Sequence, residues 1–219
     1  MDSFVDTNIP IAYVFSIDPH NKRAISVYEN YDNIFWSNNV YMEFSDRCFE
    51  KLNNLLEFYQ TFEFDLKKWP NMLISKKDLI DYVKNKKYDI KMVNDIVGSF
   101  DPFLGVYVQC YPLIVIDSLL GGIHNFIGDL NSNVYSKIED CENLLICVPN
   151  RKKMYNKLFQ SLKKLGVHES DANIVIDAHD FGLDNPLDFV TFDKDFYNGV
   201  INMELSFNDV KCLDDFDLI

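Results

Sequence analysis

Three short apolar runs, each closed by a polar turn and separated by helix-length stretches, narrow the architecture more than any other feature. Ser3-Phe4-Val5 runs into Asp6-Thr7-Asn8, Leu144-Leu145-Ile146-Cys147-Val148 is closed by Pro149, and Leu187 to Phe192 ends at Asp193. A strand that is apolar at consecutive positions buries both faces, which is the pattern of a parallel sheet covered by helices. Asn33 to Trp36 reads as a further strand. The intervening segments have helical periodicity. Pro19 to Tyr31 predicts a helix, and Asn39 to Tyr59 a long amphipathic one with Tyr41, Phe44, Cys48, Leu52, Leu55 and Tyr59 on one face. Lys152 to Leu165 predicts a helix with Met154, Leu158 and Leu162 in register, stopped by Gly166. Another starts at Ser170 or Asp171 and ends near Gly182. Strand–helix alternation of this kind predicts an α/β fold with a parallel sheet between helices.

The middle of the chain differs. Ser75-Lys76-Lys77-Asp78 forms a capping-box pattern that opens a helix to about Lys86. Asp89 to Asp140 reads as mostly helical, with breaks expected at Pro102, Pro112 and Gly121-Gly122. Residues 61–141 thus read as a helical insertion within a core made of 1–60 and 142–219. Phe103 to Gly128 is apolar enough to raise a membrane span, but Asp117 lies near its middle and Asp101 and Asp129 flank it in place of Lys or Arg. It reads as buried core or an oligomer contact, with no membrane partner. The acidic C-terminal residues Asp209, Asp214, Asp215 and Asp217 predict a frayed tail or a last strand.

Charge argues against a simple nucleic-acid-coating protein, because the 219 residues carry a net charge of −13. The distribution is uneven, however. Lys67–Lys91 and Arg151–Lys164 hold 14 bases against 3 acids. Lys76, Lys77, Lys152, Lys153 and Lys157 in these segments are candidate phosphate-backbone contacts, and Trp69, Tyr82, Tyr88, Tyr155 and Phe159 are interleaved aromatics suited to base stacking. Two solvated helix faces with core aromatics give the same pattern. The five cysteines form no C-x-x-C pair, which predicts reduced, mostly buried thiols. With no secretory leader pattern at Met1–Asp6, the expected location is cytoplasmic.

In an open parallel sheet, ligands bind beyond the carboxyl ends of the strands, where Asp6 and Asp193 fall. Helix geometry tests a third acid. The apolar stripe of the last long helix is Ile174, Val175, Ala178 and Phe181. Asp171 lies about 20° from its centre, while Asp177 and Asp180 lie about 100° and about 160° away and read as solvated. An N-cap role explains Asp171 equally well.

Four segments, in order, carry a resemblance: Phe4-Val5-Asp6-Thr7-Asn8, Glu43 after a helical stretch, Asp171-Ala172-Asn173-Ile174-Val175, and Val190-Thr191-Phe192-Asp193-Lys194-Asp195-Phe196. They resemble the PIN-domain family of ribonucleases, which includes VapC-like toxins. The last segment is similar to the family's T-x-D-x-D-F motif. The resemblance spans about residues 1–60 and 142–200. It implies an α/β/α sandwich with a central parallel sheet, and four catalytic and metal-binding acids at Asp6, Glu43, Asp171 and Asp193. Asn8, Thr191 and Asp195 take supporting places. Glu43 lies about 140° from the apolar stripe of its helix, so Asp46 one turn on is its substitute.

Converging carboxylates need a counter-charge: two of them about 4 Å apart repel by about 4 kcal/mol at an effective dielectric near 20. Oxygen-only donors favour Mg²⁺ or Mn²⁺ over zinc. The resemblance therefore implies metal-dependent hydrolysis of RNA phosphodiesters. It also implies RNA, a small antitoxin-like protein and a second copy of the chain as partners. The alternative is a catalytically inactive PIN-like module that binds RNA or protein. A haloacid-dehalogenase-type phosphatase also begins with Asp after a first strand, but needs D-x-D where this chain has Asn8. His20, His124, His168 and His179 have no acid or nucleophile at suggestive spacing, and no P-loop, G-x-S-x-G or G-x-G-x-x-G motif occurs.

Overall fold

The central strand, β1 (Asp2–Val5), is inaccessible from Ser3 onward, and the rest of the sheet is built around it. A computed structural model describes the chain except for residues 70–72, 109–112, 202 and 217–219. Chain order continues with α1 (Asn8–Val14), α2 (Asn21–Asn30), β2 (Asn33–Trp36) and α3 (Asn38–Leu66). Then come β3 (Leu73–Ser75), α4 (Lys76–Lys84), α5 (Ile90–Tyr107), β4 (Leu113–Val115) and α6 (Ile116–Leu144). The chain ends with β5 (Leu145–Cys147), α7 (Asn156–Lys164), α8 (Glu169–Gly182), β6 (Asp188–Val190), α9 (Lys194–Val200) and β7 (Val210–Lys211). Two compact units result. One comprises Met1–Val14, His20–Arg47 and Glu139–Ile219, the other Phe15–Pro19 and Cys48–Ile138.

The first unit carries a five-stranded sheet in the order β5-β2-β1-β6-β7, with every pair parallel. It is a mixed α/β structure with helices flanking the sheet. From β1 the chain steps outward to β2 and then β5, and later returns to the other side of β1 as β6. The strand order therefore reverses between β1 and β6, which opens a crevice at their carboxyl ends. β2 matches the expected strand residue for residue. β5 departs from a fully buried strand. It pairs only with β2, at the sheet edge, and exposes Ile146 and Cys147. The acidic C-terminal stretch does supply a strand, β7. Asp217 lies outside the described residues.

α7 begins at Asn156, later than its periodicity suggests, because Lys152–Tyr155 are held in a loop and Met154 points to solvent at 83% exposure. It ends where expected: Gly166 takes φ +86°, a conformation that favours glycine. No disulfide is present among the described residues. Cys48 and Cys141 are buried, Cys212 is half-buried and Cys147 exposed, so burial of the thiols is less general than expected. Cys110 lies outside the described residues.

The second unit is mostly helical, with a two-stranded antiparallel ribbon of β3 and β4. Its core is aromatic. Phe58, Tyr59, Phe62, Phe100, Phe103 and Phe126 are fully buried, and the Tyr59 and Phe126 rings meet edge to face at 4.7 Å. Ser75 and Asp78 form the reciprocal capping box at the start of α4. Two of the expected breaks do not occur. Pro102 lies inside α5, where the buried Phe100, Phe103 and Leu104 outweigh one missing hydrogen bond. α6 runs straight through Gly121-Gly122. Pro112 lies outside the described residues, and the apolar Phe103–Gly128 stretch is divided among α5, β4 and α6. Among the described residues no helix is long and apolar enough to cross a membrane.

Gly121 and Gly122 do different things despite being neighbours. A Cβ on Gly121 would meet nothing within 4 Å, whereas one on Gly122 would lie 2.8 Å from the Tyr107 carbonyl oxygen and 2.7 Å from Val108 Cγ2. Gly121→Ala should stabilise the protein by about 0.5–1 kcal/mol through the lower backbone entropy of the unfolded chain. Gly122→Ala should destabilise it by about 1–3 kcal/mol through overpacking. Urea unfolding checks this; equal effects at the two positions would contradict the packing.

Candidate functional site

Asp6 is the residue at which β1 becomes α1. Its N–H donates to the Val190 carbonyl at 2.9 Å, extending the β1–β6 ladder by one rung. Its own carbonyl accepts from Ile9 at 3.1 Å and begins the helix. The side chain is thereby delivered to the crevice where the strand order reverses. It is 3% exposed.

Two threonines tie this carboxylate to other acids. Thr7 donates its N–H to Asp6 Oδ1 at 2.7 Å and its hydroxyl to Glu43 Oε2 at 3.1 Å. Thr191, itself inaccessible, donates its hydroxyl to Asp6 Oδ2 at 2.8 Å and accepts the Asp193 N–H at 3.1 Å. Asn8 adds a bond from Nδ2 to Asp6 Oδ2 at 3.1 Å. A path thus runs Glu43–Thr7–Asp6–Thr191 to the Asp193 backbone, joining residues from the β1–α1 turn, α3 and the β6–α9 turn.

The fourth acid, Asp171, sits in the first turn of α8, half-buried, with Ser170 Oγ at 3.4 Å. The helix N-cap is His168, whose Nδ1 accepts the Ser170 N–H, so Asp171 is not the cap. The Asp171 carboxyl is raised above the ordinary range by burial first, then by the Glu43 charge, with His168 opposing and Asp193 adding. The Asp6 carboxyl is pushed up to about 7. Burial is the main cause; Asp171 and Glu43 add to it, while the bonds from Thr191 and Thr7 oppose it. Asp6 thus feels the charges of Asp171 and Glu43, and Asp171 those of Glu43 and Asp193.

Glu43 is 18% exposed at its side chain although periodicity places it off the apolar stripe. Its position early in α3 brings it to Thr7, and Arg47 four residues on pairs with Oε1 at 2.6 Å. Asp46, by contrast, is exposed. Asp193 caps α9: its Oδ1 accepts the N–H groups of Asp195 and Phe196, both at 2.9 Å, and Asp195 is exposed. Among the described residues, no three His, Cys, Asp or Glu side chains form a ready-made metal-holding group.

Sequence reasoning gave no role to three contributors. Thr7 carries the signal of a polar neighbour of Asp6, and Arg47 that of an i+4 partner of Glu43. His168 gave no signal beyond its place before a helix. Asp177 and Asp180, expected in solvent, are buried at 8% and 6% exposure. Asp177 accepts from Asn39 Nδ2 at 2.7 Å and pairs with Arg151 Nε at 3.1 Å. Asp180 accepts the Lys152 N–H at 2.7 Å and the Tyr155 hydroxyl at 2.6 Å. Helical angle misplaced them because a polar loop, rather than water, covers that side of α8.

The basic candidates fall in both units. Lys152, Lys153 and Lys157 are exposed on the first, with Lys152 Nζ 2.5 Å from Asp184. Lys76 and Lys77 belong to the second. There Lys67, Lys76, Lys86 and Lys91 pair with Glu63, Asp101, Asp65 and Glu50, as solvated helix faces do. In comparisons with known proteins, no family model, curated protein or solved structure matches this chain.

The Asp6 shift has a stability consequence. Between the unfolded value of 3.8 and the folded value of about 7, the native state holds a proton that the unfolded state has lost. Stability from this group therefore falls as pH rises through that window. In chelator-treated buffer, Asp6→Asn should become more stable relative to wild type between pH 5 and pH 8, by about 1–4 kcal/mol. Thermal unfolding against pH measures it; parallel profiles for the two proteins would contradict the burial of a charged Asp6.

Proposed function

We propose that the chain is a Mg²⁺- or Mn²⁺-dependent endoribonuclease of the PIN type, with an α/β/α core and a helical insertion. The observation that carries this reading is a buried carboxylate at the strand-order reversal, joined through Thr7 to the Glu43 carboxylate and through Thr191 to the Asp193 backbone, with Asp171 near enough to raise its proton affinity. Burying such a group beside like charges is unfavourable, and structural acids avoid it by pairing with bases. Here the charges that act on Asp6 are the acids Asp171 and Glu43, with Arg47 paired to Glu43, so the site is one that a cation would stabilise.

The donor chemistry fits a hard cation, because every candidate ligand is a carboxylate oxygen. Asp6, Glu43, Asp171 and Asp193 would hold the ion. The chemistry it supplies when bound is acidification of water and neutralisation of charge on a phosphodiester. The chain's own residues do the positioning. Thr7, Asn8 and Thr191 fix both oxygens of Asp6, and Thr191 also holds the Asp193 backbone. Asp195, two residues beyond the capping Asp193, is exposed at the same turn and takes a supporting place. Lys152, Lys153 and Lys157 attract the RNA backbone that the acidic remainder of the chain repels. The products would be 5′-phosphate and 3′-hydroxyl ends.

A second reading, the inactive binding module, is favoured by one observation. Arg47 already neutralises Glu43, and Asp193 is engaged as a helix cap. The two readings part on activity. With Mn²⁺ and a single-stranded RNA substrate, wild type should cleave, Asp6→Asn and Asp171→Asn should lose at least about 100-fold, and the exposed Asp46→Asn should keep its rate. Folded wild-type protein that binds RNA yet never cuts it would favour the binding module.

A further inference from the structure

We propose that Arg47 is an exchangeable counter-ion: its guanidinium neutralises Glu43 while the acids hold no divalent cation, and turns from Glu43 to a phosphate oxygen of the substrate once they do. The inference rests on the ribonuclease reading and names the side chain that meets the phosphate at that site.

One turn of α3 separates the pair, and Arg47 Nη2 lies 2.6 Å from Glu43 Oε1. The other oxygen, Oε2, accepts the Thr7 hydroxyl at 3.1 Å. Each oxygen keeps a further lone pair, so the obstacle to a cation at Glu43 is charge rather than space. Thr7 is neutral and offers no conflict. It is also 1% exposed, with its N–H on Asp6, so it stays in place. Arg47 conflicts, because a guanidinium does not lose its proton and a divalent ion at Oε1 would stand beside a full positive charge. Arg47 is also the partner free to move. Its side chain is 42% exposed on a long stem, and an ion pair so open to solvent contributes little to stability.

The displaced guanidinium then needs an anion. Its charge already reaches Asp171, where it opposes the upward push of burial and Glu43. Both acids that it acts on are thus candidate ligands of the same cation. Glu50, three residues on along α3, is taken by Lys91 at 2.7 Å. The anion that then suits Arg47 is one that arrives with the substrate. The two non-bridging oxygens of a phosphodiester match the planar guanidinium as a carboxylate does. Held at the edge of the acid site, that guanidinium meets the negative charge that grows on the phosphate during cleavage.

Two readouts on the full chain test this, because the exchange moves them in opposite directions. Mn²⁺ affinity is read without RNA from the electron paramagnetic resonance signal of the free ion, and kcat from cleavage of a single-stranded oligoribonucleotide at saturating Mn²⁺. Arg47→Gln should bind Mn²⁺ at least about 3-fold more tightly than wild type, since the competing charge is gone. Its kcat should nevertheless fall at least about 10-fold. Arg47→Lys keeps the charge without the planar pair of donors, so it should bind Mn²⁺ within about 2-fold of wild type and restore only part of the rate. Unchanged melting temperatures show that both variants fold. Equal or weaker Mn²⁺ binding by Arg47→Gln, in a protein that still cleaves, would overturn the exchange and leave the nuclease standing. Tighter binding with an unchanged kcat would overturn the phosphate contact. Tighter binding in a chain whose wild type cuts no RNA would sink the nuclease, and the phosphate contact with it, and leave Arg47 as the counter-ion of Glu43.

Discussion

A carboxylate taken out of water at the point where the sheet reverses its strand order is the constraint from which the rest follows. β1 is central and inaccessible, so the residue that ends it has nowhere to go but the crevice. Had that residue been apolar, the crevice would simply have closed. Because it is Asp6, its oxygens need donors, and the chain supplies them from the next residue, from two residues on and from the end of the neighbouring strand. Thr7 and Asn8 stand at the opening of α1, and Thr191 follows β6 with its N–H on the Lys211 carbonyl at 3.1 Å. The register between β1 and β6 thus brings Asp6 to Thr191, while helices α3 and α8 supply Glu43 and Asp171.

The buried acids of this unit separate into two kinds. Asp177, Asp180 and Asp188 are each answered locally, by Arg151 and Asn39, by Lys152 and Tyr155, and by the Tyr31 hydroxyl at 3.0 Å. Removing one partner of such an arrangement leaves an unpaired group, which is why they behave as structural elements. Asp6 has hydrogen bonds but no cation, and its neighbours Asp171 and Glu43 raise its proton affinity further. The distinction lies in the neighbouring charges: Asp177 and Asp180 have Arg151 and Lys152 beside them, whereas the charges that act on buried Asp6 are Asp171 and Glu43, the latter paired with Arg47.

Much of this was readable from the residues. The strand runs, the Gly166 stop and the Ser75 capping box depend on local chemistry, and the structure shows each of them. The positions of Asp6 and Asp193 followed from one rule about strand ends. What failed was anything set by distant packing. Pro102 and Gly121-Gly122 are breakers by propensity, yet the buried aromatic side chains of α5 and the close approach of Tyr107 to Gly122 override them. Asp177 and Asp180 lie on the polar side of α8 by angle, but the loop after β5 covers that side. Glu43 shows the same effect in reverse: it lies off the apolar stripe, yet a helix start can present an off-stripe residue to a sheet edge, and here it meets Thr7. Helical angle describes one element, and burial is decided by its neighbours.

The central claim is that the acid cluster becomes favourable only with a cation in it. A Mn²⁺ titration of the full chain, followed by the electron paramagnetic resonance signal of the free ion, tests this without reference to any substrate. The account predicts saturable binding that Asp6→Asn and Asp171→Asn each abolish and Asp177→Asn does not. Binding that survives both substitutions, or no saturable binding at all in the folded wild type, would contradict it.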